Sequence, residues 1–199
     1  MSRALCLVLV VFAAALTARA FDVKDADGTK FNFEAGLGGW RAWGIREGSK
    51  EKVERIVTLA TDNPHSGKQC MAVRDEFEDQ APYAMAKFKI SPASKYALTG
   101  WIRSDLDRPS GPNFGATAFA YDADGSGKHK LIGQLPLPAL TVGKEWQKFE
   151  LAVPAFPAGT THIFVAIRPV ADTSDKKATG VVFVDDVELV ETPAANVKP

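Results

Sequence analysis

The sequence of 199 residues predicts an all-β fold, a sandwich of two antiparallel sheets. Three observations carry this. Short stretches of alternating apolar and polar residues follow one another along the chain, separated by clusters of Gly, Pro, Asp and Ser. No stretch repeats apolar residues every three or four positions for long enough to build a sustained helix. The two ends complement each other: Asn32-Phe33-Glu34 with Gly39-Trp40 stands near the start, and the β-branched run from Val181 to Val190, with Asp185-Asp186 in its middle, stands near the finish. That order predicts first and last strands that meet, with carboxylates from both ends brought together.

Residues 1–20 read as a secretory signal peptide. Ser2-Arg3 gives the positive start, Leu5 to Leu16 the apolar run, and Ala18-Arg19-Ala20 the small-x-small cleavage pattern before Phe21. The run is too short to span a bilayer. Residues 21–191 then form one domain, and the Pro- and Ala-rich residues 192–199 a fraying tail. Residues 50–56 allow one turn of helix at most. Strands are expected at 54–60, 69–75, 83–90, 94–104, 114–122, 130–135, 146–153, 162–169 and 181–190. Turn signals separate them at Asn63-Pro64, Ser91-Pro92, Pro109-Ser110-Gly111-Pro112, Asp124-Gly125 and Pro157-Ala158-Gly159. Within the strands the alternation assigns faces. Tyr96, Leu98 and Ile102 oppose Thr99, Trp101 and Arg103. Phe149, Leu151 and Val153 form one apolar face. Ile163, Val165 and Ile167 oppose Phe164, Ala166 and Arg168.

Cleavage leaves 22 basic and 24 acidic residues, a net charge near −2. Such a balance offers no phosphate-binding stripe and argues against nucleic acid as a partner. A second hydrophobic segment is lacking, so no membrane association is expected after cleavage, and the location is secreted or periplasmic. Cys70 is the one cysteine after position 20, which excludes an internal disulfide in the mature chain. A buried, inert thiol is the expected state. A secreted domain without a disulfide needs another staple or a well-packed core.

Six elements in sequence resemble the jelly-roll carbohydrate-binding modules of the group that includes families four, nine and twenty-two, within the galactose-binding-like superfold. They are Asn32-Phe33-Glu34 with Gly39-Trp40; His65-Ser66-Gly67-Lys68; Tyr96 to Arg103; Tyr121-Asp122-Ala123-Asp124-Gly125; Glu145-Trp146-Gln147-Lys148-Phe149; and Val182-Phe183-Val184-Asp185-Asp186-Val187. The resemblance implies a jelly-roll β-sandwich and binding of poly- or oligosaccharide without catalysis. It also implies a structural calcium held by Glu34, by a main-chain oxygen at Lys68 and by Asp185. In a regular strand Asp185 and Asp186 point to opposite faces, leaving one as the inner ligand.

Sugar recognition needs aromatic platforms for the C–H face of a pyranose and planar polar groups for its hydroxyls. The candidates are Trp101 and Arg103 on one strand, Arg168 and Arg74 on neighbouring strands, and Tyr83, Gln80 and Trp43 at the rim. Trp40 and Trp146 are assigned to packing. Asp122, Asp124, Ser126 and Gly127 match part of an EF-hand loop, but position twelve is Gly133, so the segment reads as a hairpin turn. Asp75, Glu76, Glu78 and Asp79 cluster after one strand without a spacing that fixes a hydrolytic pair. The alternatives to carbohydrate binding are a structural or protein-interaction scaffold of the periplasm or cell surface, with a protein partner, and a small polysaccharide hydrolase or lyase.

Overall fold

Strands form wherever the alternation is sustained, and there are eleven among the residues described by this computed structural model, 24–44, 54–76, 82–105, 112–121, 129–169 and 180–193. They are β1 (Lys30–Phe31), β2 (Arg41–Trp43), β3 (Val57–Ala60), β4 (Cys70–Asp75), β5 (Tyr83–Lys89), β6 (Lys95–Ser104), β7 (Asn113–Tyr121), β8 (His129–Pro136), β9 (Gln147–Val153), β10 (His162–Arg168) and β11 (Gly180–Thr192). A single helical turn at 54–56 precedes β3, which shortens the strand expected from residue 54. The two short strands β1 and β2 lie in the Gly-rich region, where no alternation announced them.

The strands divide into two antiparallel sheets. One has the order β3-β4-β11-β6-β9, with β1 also paired to β11; the other has the order β2-β5-β10-β7-β8. β11 is the spine of the first sheet. It pairs with β6 along most of its length, with β4 over Gly180–Val184, and with β1 at Val187 and Glu188. The first and last strands therefore do meet, as the matching ends predicted.

The inner faces close on one core. Tyr96, Leu98 and Ile102 of β6, Phe149, Leu151 and Val153 of β9, and Ile163, Val165 and Ile167 of β10 all lie in it. Each such side chain contributes roughly 1.5–3 kcal/mol by leaving water. Phe31, Trp40 and Phe88 meet edge to face at 6.0–6.3 Å, so Trp40 packs as expected. Each sheet also carries a small apolar cluster on its outer face: Cys70, Ala72 and Phe183 on the first, Met85 and Phe164 on the second. Burial pushes the Cys70 thiol up to about 11, so it stays protonated and unreactive at neutral pH.

Candidate functional site

The outer face of the first sheet is built around residues 65–69, pinned from both chain ends. A bulge between Asp185 and Glu188 and the left-handed Asp186 (φ 49°) break the regular alternation. Both carboxylates consequently reach the same turn, which corrects the expectation that they point to opposite faces. Asp185 Oδ2 accepts the Ser66 N–H at 3.0 Å and Oδ1 the Asp186 N–H at 2.8 Å. Asp186 accepts the Ser66 hydroxyl at 3.1 Å and lies 3.0 Å from His65 Nδ1. Asp185 is fully buried; burial pushes its carboxyl above the usual range, and the two N–H donors partly offset this.

From the other end, Glu34 Oε1 accepts the N–H groups of Lys68 at 2.8 Å and Gln69 at 3.0 Å. These donors hold its carboxyl below the usual 4.5. The bond between Lys68 and Glu34 thus runs through the N–H of Lys68. Gly67 has φ +61°, and a Cβ there would come within 2.5 Å of Glu34 Oε1, so the turn requires glycine. The ligating atoms of His65, Asp185 and Asp186 lie within 4.8 Å of one another, a group that does not include Glu34.

Trp101 and Arg103 belong to this same face. His65 stacks on Trp101 at 3.9 Å and 16°, so one side of the indole is covered. Arg103 is 4% exposed. Its guanidinium lies 3.7 Å from the Phe183 ring centre and 5.5 Å from that of Trp146. It donates to the Asp62 carbonyl at 2.8 Å and reaches Asp105 at 3.4 Å. Trp146 donates its indole N–H to the Asn63 carbonyl at 2.9 Å. Arg103 is therefore a packing residue, which corrects its expected place in a ligand surface: the loop at 62–63 and the rings of Phe183 and Trp146 close over it. Arg74 lies on β4, separated from β6 by β11, and Arg168 lies on the other sheet. The expected row of Trp101, Arg103, Arg74 and Arg168 on adjacent strands is not formed.

The outer face of the second sheet holds a groove. Trp43, Tyr83 and Arg168, three of the expected ligand residues, line it together. They come from β2, β5 and β10, neighbouring strands in register with Trp43 opposite Tyr83. Arg168 lies 5.0 Å from the Tyr83 ring centre. Burial raises the Tyr83 phenol, and the Arg168 charge draws it back. Behind them Met85 and Phe164 form the apolar floor, with Phe119 edge-on to Phe164 at 4.8 Å. Thr117, Gln134, Leu131 and His129 complete a cavity of about 240 Å³. A second cavity of about 460 Å³ continues it over Gly115, Ala166 and Pro136, sharing Thr117, Gln134 and Arg168. Ala166 and Gly115 are register partners, and Gly115 in turn faces Pro136. A row of small residues therefore crosses three strands and leaves room above the sheet.

Sequence reasoning missed Phe119, Phe164, Leu131 and Gln134. The alternation of β10 did place Phe164 on the face of Arg168, which was a usable signal. Leu131 faces out because the register of β7 and β8 shifts between Ala118 and Phe119, beside Gly133; a lone glycine inside a strand was the available signal for that bulge. Gln80, Glu78, Asp79 and the 122–127 segment lie outside the described residues. Asp75 is 4% exposed, and Glu76 is paired with Arg55 at 2.7 Å.

No protein-family model and no curated protein sequence matches the chain. Solved structures do. The CBM22-2 xylan-binding domain from Paenibacillus barcinonensis Xyn10C superposes with a TM-score of 0.57 at 17% identity, covering 82% of this chain and 98% of that one. The Clostridium thermocellum xylanase 10B CBM22-1-GH10 modules, complexed with xylohexaose, give 0.54 at 15% identity, covering 88% of this chain and 30% of that one. The chain has the jelly-roll β-sandwich fold of such carbohydrate-binding modules.

Proposed function

We propose that this is an exported, non-catalytic carbohydrate-binding protein whose glycan lies in the groove on the outer face of the second sheet. The observation that carries the reading is the groove itself. Trp43, Tyr83, Phe119 and Phe164 offer aromatic surface, and Arg168, Gln134 and Thr117 offer hydrogen-bonding groups beside it. A pyranose has the matching chemistry: an apolar C–H face for a ring and a belt of hydroxyls for planar polar groups. Among the described lining residues the charged or titratable groups are a guanidinium, an imidazole and the Tyr83 phenol, groups suited to binding and orienting, where glycoside hydrolysis uses a carboxylate pair. The likeness to xylan-binding domains supports the same direction. Export rests on the signal-peptide pattern of residues 1–20.

Calcium belongs to the proposal as a staple only. Asp185 is a fully buried carboxylate with no ion-pair partner among the described residues, and residues 34, 65–69 and 185 converge on one turn. A buried carboxylate of this kind gains from a nearby cation. Glu34, the Lys68 main-chain oxygen and Asp185 would hold the ion, whose contribution would be to fix the loop. A chelator should then lower the melting temperature of the wild-type protein more than that of Asp185→Asn; equal behaviour removes calcium from the account.

Affinity electrophoresis in gels of soluble polysaccharides tests the binding. Retardation should vanish in Tyr83→Ala and Trp43→Ala and persist in Trp101→Ala. Retardation lost only with Trp101→Ala would move the site to the other sheet. No retardation by any polysaccharide would favour the scaffold reading.

A further inference from the structure

We infer that the glycan in this groove carries carboxylates, as in a chain containing uronic acids. The inference rests on the carbohydrate-binding reading above and specifies its ligand. It begins with charge. The chain is close to neutral as a whole, with 24 basic and 24 acidic residues, yet the two sheets divide the charge unequally. The strands of the second sheet contain Arg41, Lys87, Lys89, Lys130 and Arg168 and not one Asp or Glu. The strands of the first sheet contain Asp75, Glu150, Asp185, Asp186, Glu188 and Glu191 beside their own bases. The groove therefore lies on a sheet whose strands carry only positive fixed charges, a field that favours an anionic ligand, and of those charges Arg168 lines the groove itself.

Asp25, from the N-terminal segment, answers part of this charge: it pairs with Lys87 at 2.9 Å and approaches His162 at 3.8 Å. Arg168 is different. Among the described residues it has no carboxylate partner. It stands in the wall shared by both cavities, over the Tyr83 ring. A guanidinium presents a planar fork of N–H donors that fits a carboxylate in bidentate fashion, which a single hydroxyl does not exploit. Thr117 and Gln134 share that wall and can take the neighbouring hydroxyls, while Tyr83 and Phe164 supply the surface for the ring. The groove thus pairs one guanidinium with an apolar floor, the complement of a sugar that has one charged edge and one C–H face.

The experiment is isothermal titration of the full mature chain with glucuronoxylan, with the same glucuronoxylan after its carboxyls are reduced to alcohols, and with dextran sulfate, at 50 and 500 mM salt. We expect carboxyl reduction to weaken binding about tenfold or more, as the loss of a charged hydrogen-bond pair does. Salt should weaken the acidic form and leave the reduced form nearly unchanged. Arg168→Gln should erase the difference between the two forms, and Arg168→Lys should keep part of it. Equal affinity for native and reduced glucuronoxylan would overturn the inference and leave carbohydrate binding standing. Dextran sulfate binding as tightly as glucuronoxylan would overturn it in favour of unspecific attraction to anions. Binding to none of the three, nor to neutral polysaccharides in the gels, would remove the underlying reading as well. The wild-type comparison needs no variant to fold.

Discussion

Replacing Arg103 by alanine separates packing from recognition. The guanidinium donates to the Asp62 carbonyl at 2.8 Å, and a bond to a charged group is worth about 1.5–3 kcal/mol. Its position 3.7 Å from the Phe183 ring centre adds on the order of 1–2 kcal/mol in a desolvated site. Against this, Arg103 Nε is buried without a hydrogen-bond partner, and its removal returns about 1 kcal/mol or more. The balance is a loss of roughly 2–3 kcal/mol, including exposure of the Phe183 ring. For a domain of this size that lowers the melting temperature by about 4–12 °C. Thermal unfolding followed by circular dichroism reads the loss, and titration with a bound polysaccharide reads the affinity. We expect a lower melting temperature with affinity within about twofold of the wild type, because the groove lies on the other sheet. An unchanged melting temperature with lost affinity would refute the assignment of Arg103 to packing.

Two further outcomes follow from titratable groups. Glu34 has a folded-state pKa below its usual value, so its stabilising contribution is fully present above about 4.5 and is lost as pH falls through the folded value. The melting temperature of the wild type should therefore drop more steeply than that of Glu34→Gln on acidification below pH 4.5; parallel curves would show that the Lys68 and Gln69 bonds do not hold the turn. Cys70, buried and with its thiol raised to about 11, should react with a thiol reagent at pH 8 only after denaturation, and rapid labelling of the native protein would contradict its place beneath Phe183.

Much of the fold was legible because alternation maps directly onto a buried face. The predicted inner rows of β6, β9 and β10 are the rows found in the core, and nine expected strands lie within a few residues of those observed. The meeting of the ends was legible too, since Phe31 and Val187 pair across β1 and β11. What alternation does not encode is which of two sheets a strand joins. That is why Trp101 and Arg103 were expected beside Arg168, although their outward faces lie on opposite sides of the sandwich. The groove also depends on strands far apart in sequence, with β2, β5, β10, β7 and β8 in that spatial order. The reach of Asp186 depends on its own left-handed backbone inside β11, a conformation that Asp tolerates better than most residues but that a β-branched run around it does not suggest.

The most direct test of the central claim is a crystal structure of the protein with an oligosaccharide cut from whichever polysaccharide retards it. The account predicts sugar rings over Tyr83 and Phe164, within hydrogen-bonding distance of Arg168 and Gln134. Sugar seated against Trp101 and His65, on the outer face of the first sheet, would contradict it.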